Sequence, residues 1–595
     1  MARTLAWTLR AALPIALAAV AVSVPGTAHA ASAYYVATNG TSSNPGTEDQ
    51  PFATINQFMA VAQPGDTVYV RGGVYSIGET YLSKSGTPGN DITIRNYPGE
   101  TPVLDGGGTA GVAFYYGEAH QGEGKGSYTT IDGFVIRNYW RSGINIGCCT
   151  ADGSEHQTVS HVTVRNNVVD RAGQNGITFM GASDVTVEHN LVGRTGWNPD
   201  SGSWSSGINL YGVYGKNNVV NGNVTYHNVD VSSHHTDGNG IIVDLSYYNG
   251  GARITNNVSF ENGGAGIQLT SSSYGTVVNN TVVENGKEPT YVHGGTGLGF
   301  YGAEAYDNAV VRNNVVSQSF GKGLNAPDSF SNSVFSDNDI SGQPGYQDPH
   351  LVDAPDADFR LDGSSPAIDA GTSTDAPGDA LVFDRGALQQ TTANQPISWY
   401  RWAPNVDYIT AHGGVANLFG SAARPQGNGY DQGAFEYGDT GNPGGGGTEL
   451  ITNGEFDQGT DGWWNWFDTS ASGSVGTVDS AGLSGANALR IHLTNGSDAP
   501  YAVQAAQTTP ALNAGTTYTL RFTAKADAAR PIKVTAQQEA APYATYLDRS
   551  VNLTSSGQSF TLSFTPSVSG PAYLKFNAGG STTDVYLDAV SLKSS

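Results

Sequence analysis

The sequence predicts an all-β protein, a right-handed parallel β-helix followed by a β-sandwich (jelly-roll) domain, and three observations carry that expectation. The chain of 595 residues holds 79 Gly and only 13% charged residues, which leaves little material for long charged helices. Residues 161–340 repeat one short unit, a strand ending in an Asn ladder and then, after a turn, Gly-Ile or Gly-Leu opening a second strand. Self-similarity of this kind marks a solenoid. Residues 449–595 instead alternate apolar and polar side chains through Tyr518-Thr-Leu-Arg-Phe, Phe560-Thr-Leu-Ser-Phe and Val585-Tyr-Leu-Asp-Ala-Val, the pattern of antiparallel strands in a sandwich.

In chain order, residues 1–30 carry Arg3 and Arg10, an apolar run from Ala11 to Val24, and Ala28-His29-Ala30. This is the pattern of a cleaved signal peptide, so the mature chain is expected to start at Ala31 and to be secreted and extracellular. No later apolar run approaches the roughly 18 to 20 residues that span a bilayer, so no membrane partner is expected. The β-helix domain is expected over 31–438, opening with Ala33 to Ser76. Its first clear repeat is Val162-Thr-Val-Arg-Asn-Asn-Val with Gly176-Ile-Thr-Phe-Met, and its last is Val310-Val-Arg-Asn-Asn-Val with Gly323-Leu-Asn-Ala. The second Asn of each ladder falls at 167, 190, 223, 257, 280, 314 and 338, in steps of 23 or 24 residues interrupted by three of 33 or 34. A coil that short holds two or three strands and no helix. Stacked Asn side chains satisfy one another and the turn backbone. The three long steps place insertions at Trp197–Ser205, His227–Thr236 and Lys287–Gly295, all between ladder and Gly strand, so they emerge from one face and flank a cleft. Leu351 to Tyr437 reads as an irregular exit packed on the last coils. A flexible Gly-rich linker, 439–448, precedes the sandwich.

Lys and Arg total 28 against 52 Asp and Glu, a formal charge of -24. Nucleic acid is excluded as a partner, and a neutral glycan is favoured over a polyanionic one unless Ca²⁺ intervenes. The two cysteines, Cys148 and Cys149, are adjacent and cannot form a disulfide framework; no redox or metal role is assigned to them. A monomer is expected.

Tyr34-Tyr-Val-Ala-Thr-Asn-Gly, Gly65-Asp-Thr-Val-Tyr-Val-Arg-Gly-Gly-Val-Tyr-Ser, Ser365-Pro-Ala-Ile-Asp-Ala-Gly and Tyr430-Asp-Gln-Gly-Ala-Phe-Glu-Tyr resemble segments of secreted β-helix enzymes related to family 9 polysaccharide lyases. That resemblance implies a calcium-binding Asp-Asp-Gly-x-Asp on one coil and Asp-Gly-Asn-Gly-x-Lys on a later one, with the Lys as base. Here the second motif reads Asp237-Gly-Asn-Gly-Ile-Ile242, with Ile242 at the Lys position, and the calcium coil reads Ser205-Ser-Gly-Ile-Asn209. The C-terminal segment, with Leu450-Ile-Thr-Asn-Gly-Glu-Phe-Asp and Gly462-Trp-Trp-Asn-Trp, resembles carbohydrate-binding modules of families 4, 9 and 22. It implies a polysaccharide partner and a structural Ca²⁺, for which Glu455 and Asp588 are the candidate ligands.

Counting each strand-opening Gly as zero, positions one and three are apolar and point inward, so positions two and four are expected to face solvent. The row at two is Thr178, Asn209, Ile242, Gln268, Gly299; the row at four is Met180, Tyr211, Asp244, Thr270, Tyr301. Glycosidic hydrolysis needs two carboxyl groups, one as acid and one as base or nucleophile. Asp244, Asp237 and Asp230 form the nearest cluster and are the expected catalytic residues. Asn209, Tyr211, His234, His235, Gln268 and Tyr301, with Trp197 and Trp204 as stacking platforms, are the expected substrate contacts; Tyr291 and His227 are further candidates. No His-Glu-x-x-His or paired Cys-x-x-Cys occurs, so no zinc site is expected. In the module, Trp464 and Trp466 share a face opposite Trp463, and with Tyr501 and Tyr543 they are the expected sugar platform. The leading expectation is a glycoside hydrolase needing no cofactor. The alternatives are a calcium-dependent, pectate-type lyase and a non-catalytic glycan-binding protein.

Overall fold

The computed structural model describes residues 31–117, 125–148, 157–246, 250–288, 291, 295–302, 307–317, 320–326, 332–391, 397–437, 450–454, 456, 459–479, 483, 487–497, 499–541 and 543–594. The expected signal peptide, the linker, Cys149 and Glu455 lie outside these residues. Up to Ile340, successive strands pair in parallel into three sheets of eleven, nine and ten strands, the coil architecture of a β-helix. Inward positions of the nine-stranded sheet stack like on like. Ile144, Ile177, Ile208, Ile241, Ile267 and Leu298 follow one another in register and are fully buried, so each coil covers the apolar floor of the next.

The Asn ladder forms as a continuous chain of side-chain amides. Asn167 donates to Asn190 (3.1 Å), Asn190 to Asn223 (2.9 Å), Asn223 to Asn257 (3.0 Å), Asn257 to Asn280 (3.0 Å), Asn280 to Asn314 (3.0 Å) and Asn314 to Asn338 (2.8 Å). The residue before each ladder Asn makes the turn. Asn166, Asn256, Asn279 and Asn313 all sit at φ between 53° and 57°, a left-handed conformation that Asn tolerates better than other non-Gly residues. A second, shorter ladder runs from Asn228 to Asn262 to Asn285, at 2.8 Å per step.

Two features depart from the sequence expectation. An α-helix, Ile55–Val61, buries Ile55, Phe58 and Met59 and is opened by a Thr54/Gln57 capping box; it plugs the first coil, whose apolar cross-section would otherwise meet water. The exit segment sits on the last coils, where Val315 packs with Leu361 and Ala367 and Asn313 donates to the Thr372 carbonyl at 2.7 Å, but it extends beyond them. It runs back along the outer face of the ten-stranded sheet, where Val135, Val168, Leu191, Val224 and Val258 pack with Trp402, Phe419 and Phe435 in one buried cluster. The reason lies in doublets such as Val168-Val169: Val169 faces the helix interior and Val168 faces outward, so the outer face is apolar and needs a cover.

The C-terminal unit consists of two five-stranded sheets with antiparallel pairings throughout. Their inner faces enclose a core that includes Trp463, Leu489, Phe522, Leu574 and Leu587. No described helix is long and apolar enough to cross a membrane.

Candidate functional site

A cleft of about 520 Å³ opens on the nine-stranded sheet, lined on its floor by Asn145, Thr178, Asn209, Met180, Tyr211 and Asp244. The strands that carry these residues, Ile144–Cys148, Ile177–Met180, Ile208–Tyr211 and Ile241–Asp244, are consecutive in the sheet. Tyr211 and Asp244 are register partners, so their backbones lie about 4.8 Å apart on adjacent coils. The row at four is half-buried, as its outward direction requires. The row at two is not exposed: Thr178, Asn209, Ile242 and Gln268 are all buried. Of this row only Thr178 and Asn209 border the cleft.

Burial likewise separates the three aspartates. Asp244 lines the cleft, and partial burial pushes its carboxyl up to about 6 against a lowering contribution from the Leu245 amide. Asp237 and Asp230 are buried and do not line it, which corrects their expected placement. The Asp230 carboxylate accepts the backbone amides of Ser232 (3.1 Å), Thr236 (3.4 Å) and Asp237 (3.5 Å) and so ties the 227–236 insertion into its turn. The rest of the Asp-Gly-Asn-Gly motif is scaffolding too. Gly238 turns at φ 77°, where a Cβ would fall 2.5 Å from the Tyr291 hydroxyl, and Asn239 accepts the Ala265 amide at 2.9 Å.

Burial first, then the charges of Asp230 and Asp244, push the Asp237 carboxyl up to about 8. Its unfolded value is about 3.9, so the folded protein alone holds this proton between about pH 4 and pH 8, and stability falls as pH rises through that window. Asp237→Asn mimics the protonated form. Its melting temperature is expected to match wild type near pH 4 and to exceed it at pH 8; equal melting temperatures at pH 8 would refute the assignment.

Around the cleft, Trp204 is an exposed lining residue whose ring stacks on His234, 3.8 Å between centroids and 15° between planes. The other expected contacts are engaged elsewhere. His235 meets Tyr291 edge-on; Tyr291 is buried, with its hydroxyl accepting the Asp230 amide, so it packs between loops and is no platform. The Trp197 indole donates to the Arg171 carbonyl at 3.0 Å. Gln268 donates to Thr270 at 2.9 Å, and Tyr301, in register with Thr270, lies two coils beyond Asp244's strand and outside the cleft lining. His227 is fully buried against Glu261 at 2.9 Å, with its imidazole pKa lowered by burial.

The coil expected to hold calcium carries a neutral network. The Ser206 amide donates to Asn175 Oδ1 (2.8 Å), Asn209 Nδ2 reaches the same oxygen (3.4 Å), and Asn239 Nδ2 donates to Ser206 Oγ (3.3 Å). Calcium takes six to eight oxygens, carboxylates prominent among them. This donor set does not fit it, and among the described residues no group of three or more His, Cys, Asp or Glu is placed to hold a metal. Ser142, Asn145, Gln174 and Asn175 also line the cleft and were missed by sequence reasoning. A signal was present: the residue just before each strand-opening Gly is polar in four consecutive coils, Ser142, Asn175, Ser206 and Asn239.

In the C-terminal unit, Trp464, Trp466, Tyr501 and Tyr573 line an open groove with Gln504, Gln537, Glu539 and Lys575. Tyr573, absent from the expected set, meets Trp464 edge-on at 5.7 Å. Tyr543 is exposed but not part of that lining. Asp588 is buried, and its carboxylate accepts the Ala589 amide at 2.8 Å. Trp466→Ala should weaken polysaccharide binding by about tenfold or more without changing the melting temperature, as truncation of an interface aromatic does. Trp463→Ala, by contrast, should cost about 3–5 kcal/mol of stability. Affinity electrophoresis and thermal unfolding check the pair.

Residues 448–583 match the family model for a carbohydrate binding domain. A stretch of 81 residues is 40% identical to the uncharacterized protein YwoF of Bacillus subtilis, covering 13% of this chain and 17% of that protein. A stretch of 73 residues is 36% identical to pectate lyase PEL9 of Emericella nidulans, covering 12% and 18%. The chain thus spans less than a fifth of the length of these curated relatives. The crystal structure of pectate lyase Pel9A aligns at 19% identity over 68% of this chain and 96% of that one, with a TM-score of 0.40. The model for the Pel9A-like, right-handed beta helix region matches residues 34–339, just over half of the sequence. The chain therefore belongs to the Pel9A-like right-handed β-helix family and carries a carbohydrate-binding domain at its C-terminal end.

Proposed function

We propose that this protein is a polysaccharide lyase that works outside the cell and cleaves uronate-containing chains by β-elimination. The observation that carries the reading is the composition of the cleft. Among its described lining residues Asp244 is the only carboxylate, and its register partner is Tyr211. Hydrolysis, the leading expectation from sequence, needs a second carboxyl group about 5 to 9.5 Å away across the bond. Asp237 and Asp230 are buried, so the described lining residues offer no such partner. Elimination needs one base for the C5 proton and one donor for the leaving oxygen, on one face of the sugar where those groups are syn and on opposite faces where they are anti, and Asp244 and Tyr211 supply the pair. The kinship with pectate lyase PEL9 supports the same chemistry.

In this reading Asp244 removes the proton beside the uronyl carboxyl group, and the Tyr211 phenol protonates the departing glycosidic oxygen. Trp204 seats a sugar ring at the rim, and the C-terminal groove holds the enzyme on the polymer. Digestion of a glycan panel tests it. Elimination raises reducing ends and ultraviolet absorbance together, because the product carries a conjugated double bond. Reducing ends without absorbance would replace the reading with hydrolysis, and neither signal would leave a binding protein.

A further inference from the structure

We infer that the cleft takes a uronate polymer whose carboxyl groups are esterified, and takes it without a divalent cation. The inference rests on the elimination reading and specifies its substrate. Removing the proton beside a free carboxylate builds a second negative charge on that group, so an enzyme for the free acid must place positive charge there. Among the described lining residues none of the register neighbours of Asp244 is a cation. Where calcium would sit, Asn175, Ser206, Asn209 and Asn239 hydrogen-bond one another. The one cation among the described lining residues is Arg141. It precedes a strand three places away from that of Asp244 in the sheet, about 14 Å along the axis at ~4.8 Å per coil. Asp244 is flanked in register by the neutral Tyr211 and Thr270, and the same cleft is lined by the apolar Leu245, Met180 and Trp204, a seat suited to an ester alkyl group.

The floor adds an independent sign. Asn145 Oδ1, Asn209 Oδ1 and Ser142 Oγ are buried without a hydrogen-bond partner, on residues only 7%, 8% and 1% exposed, and all three residues line the cleft. Buried amide oxygens without donors are costly. Sugar hydroxyls satisfy the two amide oxygens, against which a carboxylate would set lone pairs, while the Ser142 hydroxyl can donate or accept. The net charge of -24 repels a polyanion and is indifferent to an ester.

The ester also makes the chemistry easier. Its carbonyl acidifies the neighbouring proton without a counter-ion. Asp244 takes the C5 proton, the C5 electron pair forms the C4–C5 double bond as the C4–O bond breaks, and the leaving oxygen takes the Tyr211 proton. The phenolate is reprotonated from solvent, and Asp244 releases its proton there.

The test uses the full chain on polygalacturonate, alginate and glucuronan, each as methyl ester and after saponification, with and without EDTA, following ultraviolet absorbance and reducing ends. The expected result is elimination at least about tenfold faster on one ester than on its free acid, unchanged by EDTA. Met180→Lys, which adds a cation to the apolar seat, should shrink that ratio at least about fivefold. Faster elimination on the free acid, or loss of elimination in EDTA, overturns the inference while the lyase reading stands. Reducing ends without absorbance, or no turnover on any polymer, overturns the lyase reading itself.

Discussion

Asp244→Asn is expected to lower kcat/KM by roughly 10² to 10⁴, the range a positioned general base supplies, with no loss of thermal stability. The amide keeps the shape of the carboxyl group and its contact with the Leu245 amide, but it has no basic lone pair. Because burial holds the carboxyl near 6, wild-type kcat/KM should climb with pH through about 6 as the base loses its proton. The same shift has a stability consequence of definite sign. The folded pKa lies above the unfolded value of about 3.9, so wild-type stability declines as pH rises from about 4 to about 6. The Asn variant lacks this decline and should be slightly the more stable of the two at neutral pH. Tyr211→Phe should also lose activity, chiefly on substrates with poor leaving groups, since it removes the proton donor and leaves the base. Asp244→Asn activity within twofold of wild type, or a pH profile without a limb near 6, would remove Asp244 from the mechanism.

Much of the architecture was legible because the β-helix writes its geometry into local sequence. An Asn that must bond the Asn one coil away recurs at coil spacing, and an inward branched residue recurs beside a Gly. The cleft was legible in part. Outward position four placed Tyr211 and Asp244 on the sheet face where the cleft opens. Position two failed, because the burial of Ile242 and Gln268 depends on tertiary packing, which strand alternation does not encode. The aspartates show the same limit. Asp237 and Asp244 differ by only seven positions, yet the turn at Gly238 and the Tyr291 side chain shut one inside the protein and leave the other on the cleft. The polar positions before each Gly, and the Val-Val doublets that call for an outer cover, were visible in sequence. Their meaning needed the knowledge of which face each coil turns toward the loops or the exit segment.

That outer cover leads to the second large effect, at Glu436. Read from sequence, the run Tyr430 to Tyr437 marked kinship and no chemistry; in the structure it is a clasp. The Arg424 and Glu436 side chains are completely buried and paired at 2.6 Å. Arg424 also donates to the Gly433 and Ala434 carbonyls at 2.9 Å and to Asn256 Oδ1 at 3.2 Å, while Glu436 accepts the amides of Gln426 and Asp431 at 3.1 Å. Asn279 holds the carbonyls of Asp431 and Gly433 at 2.9 and 3.1 Å, so the clasp fastens the exit segment to the coils. Glu436→Ala strands a buried guanidinium and two amide donors, a loss of about 3–5 kcal/mol. A solenoid is stabilised mainly by nearest-neighbour contacts, so the loss should stay local. Hydrogen exchange over residues 419–437 should accelerate by roughly 10² to 10³ while the inward strands between 162 and 283 keep their protection. Glu436→Gln keeps an acceptor for Arg424 and should show a smaller acceleration. Turnover should survive in both variants at low temperature, because the clasp closes the ten-stranded sheet and the cleft lies on the nine-stranded one. Unchanged exchange in Glu436→Ala would show that the pair is not what holds the exit segment in place.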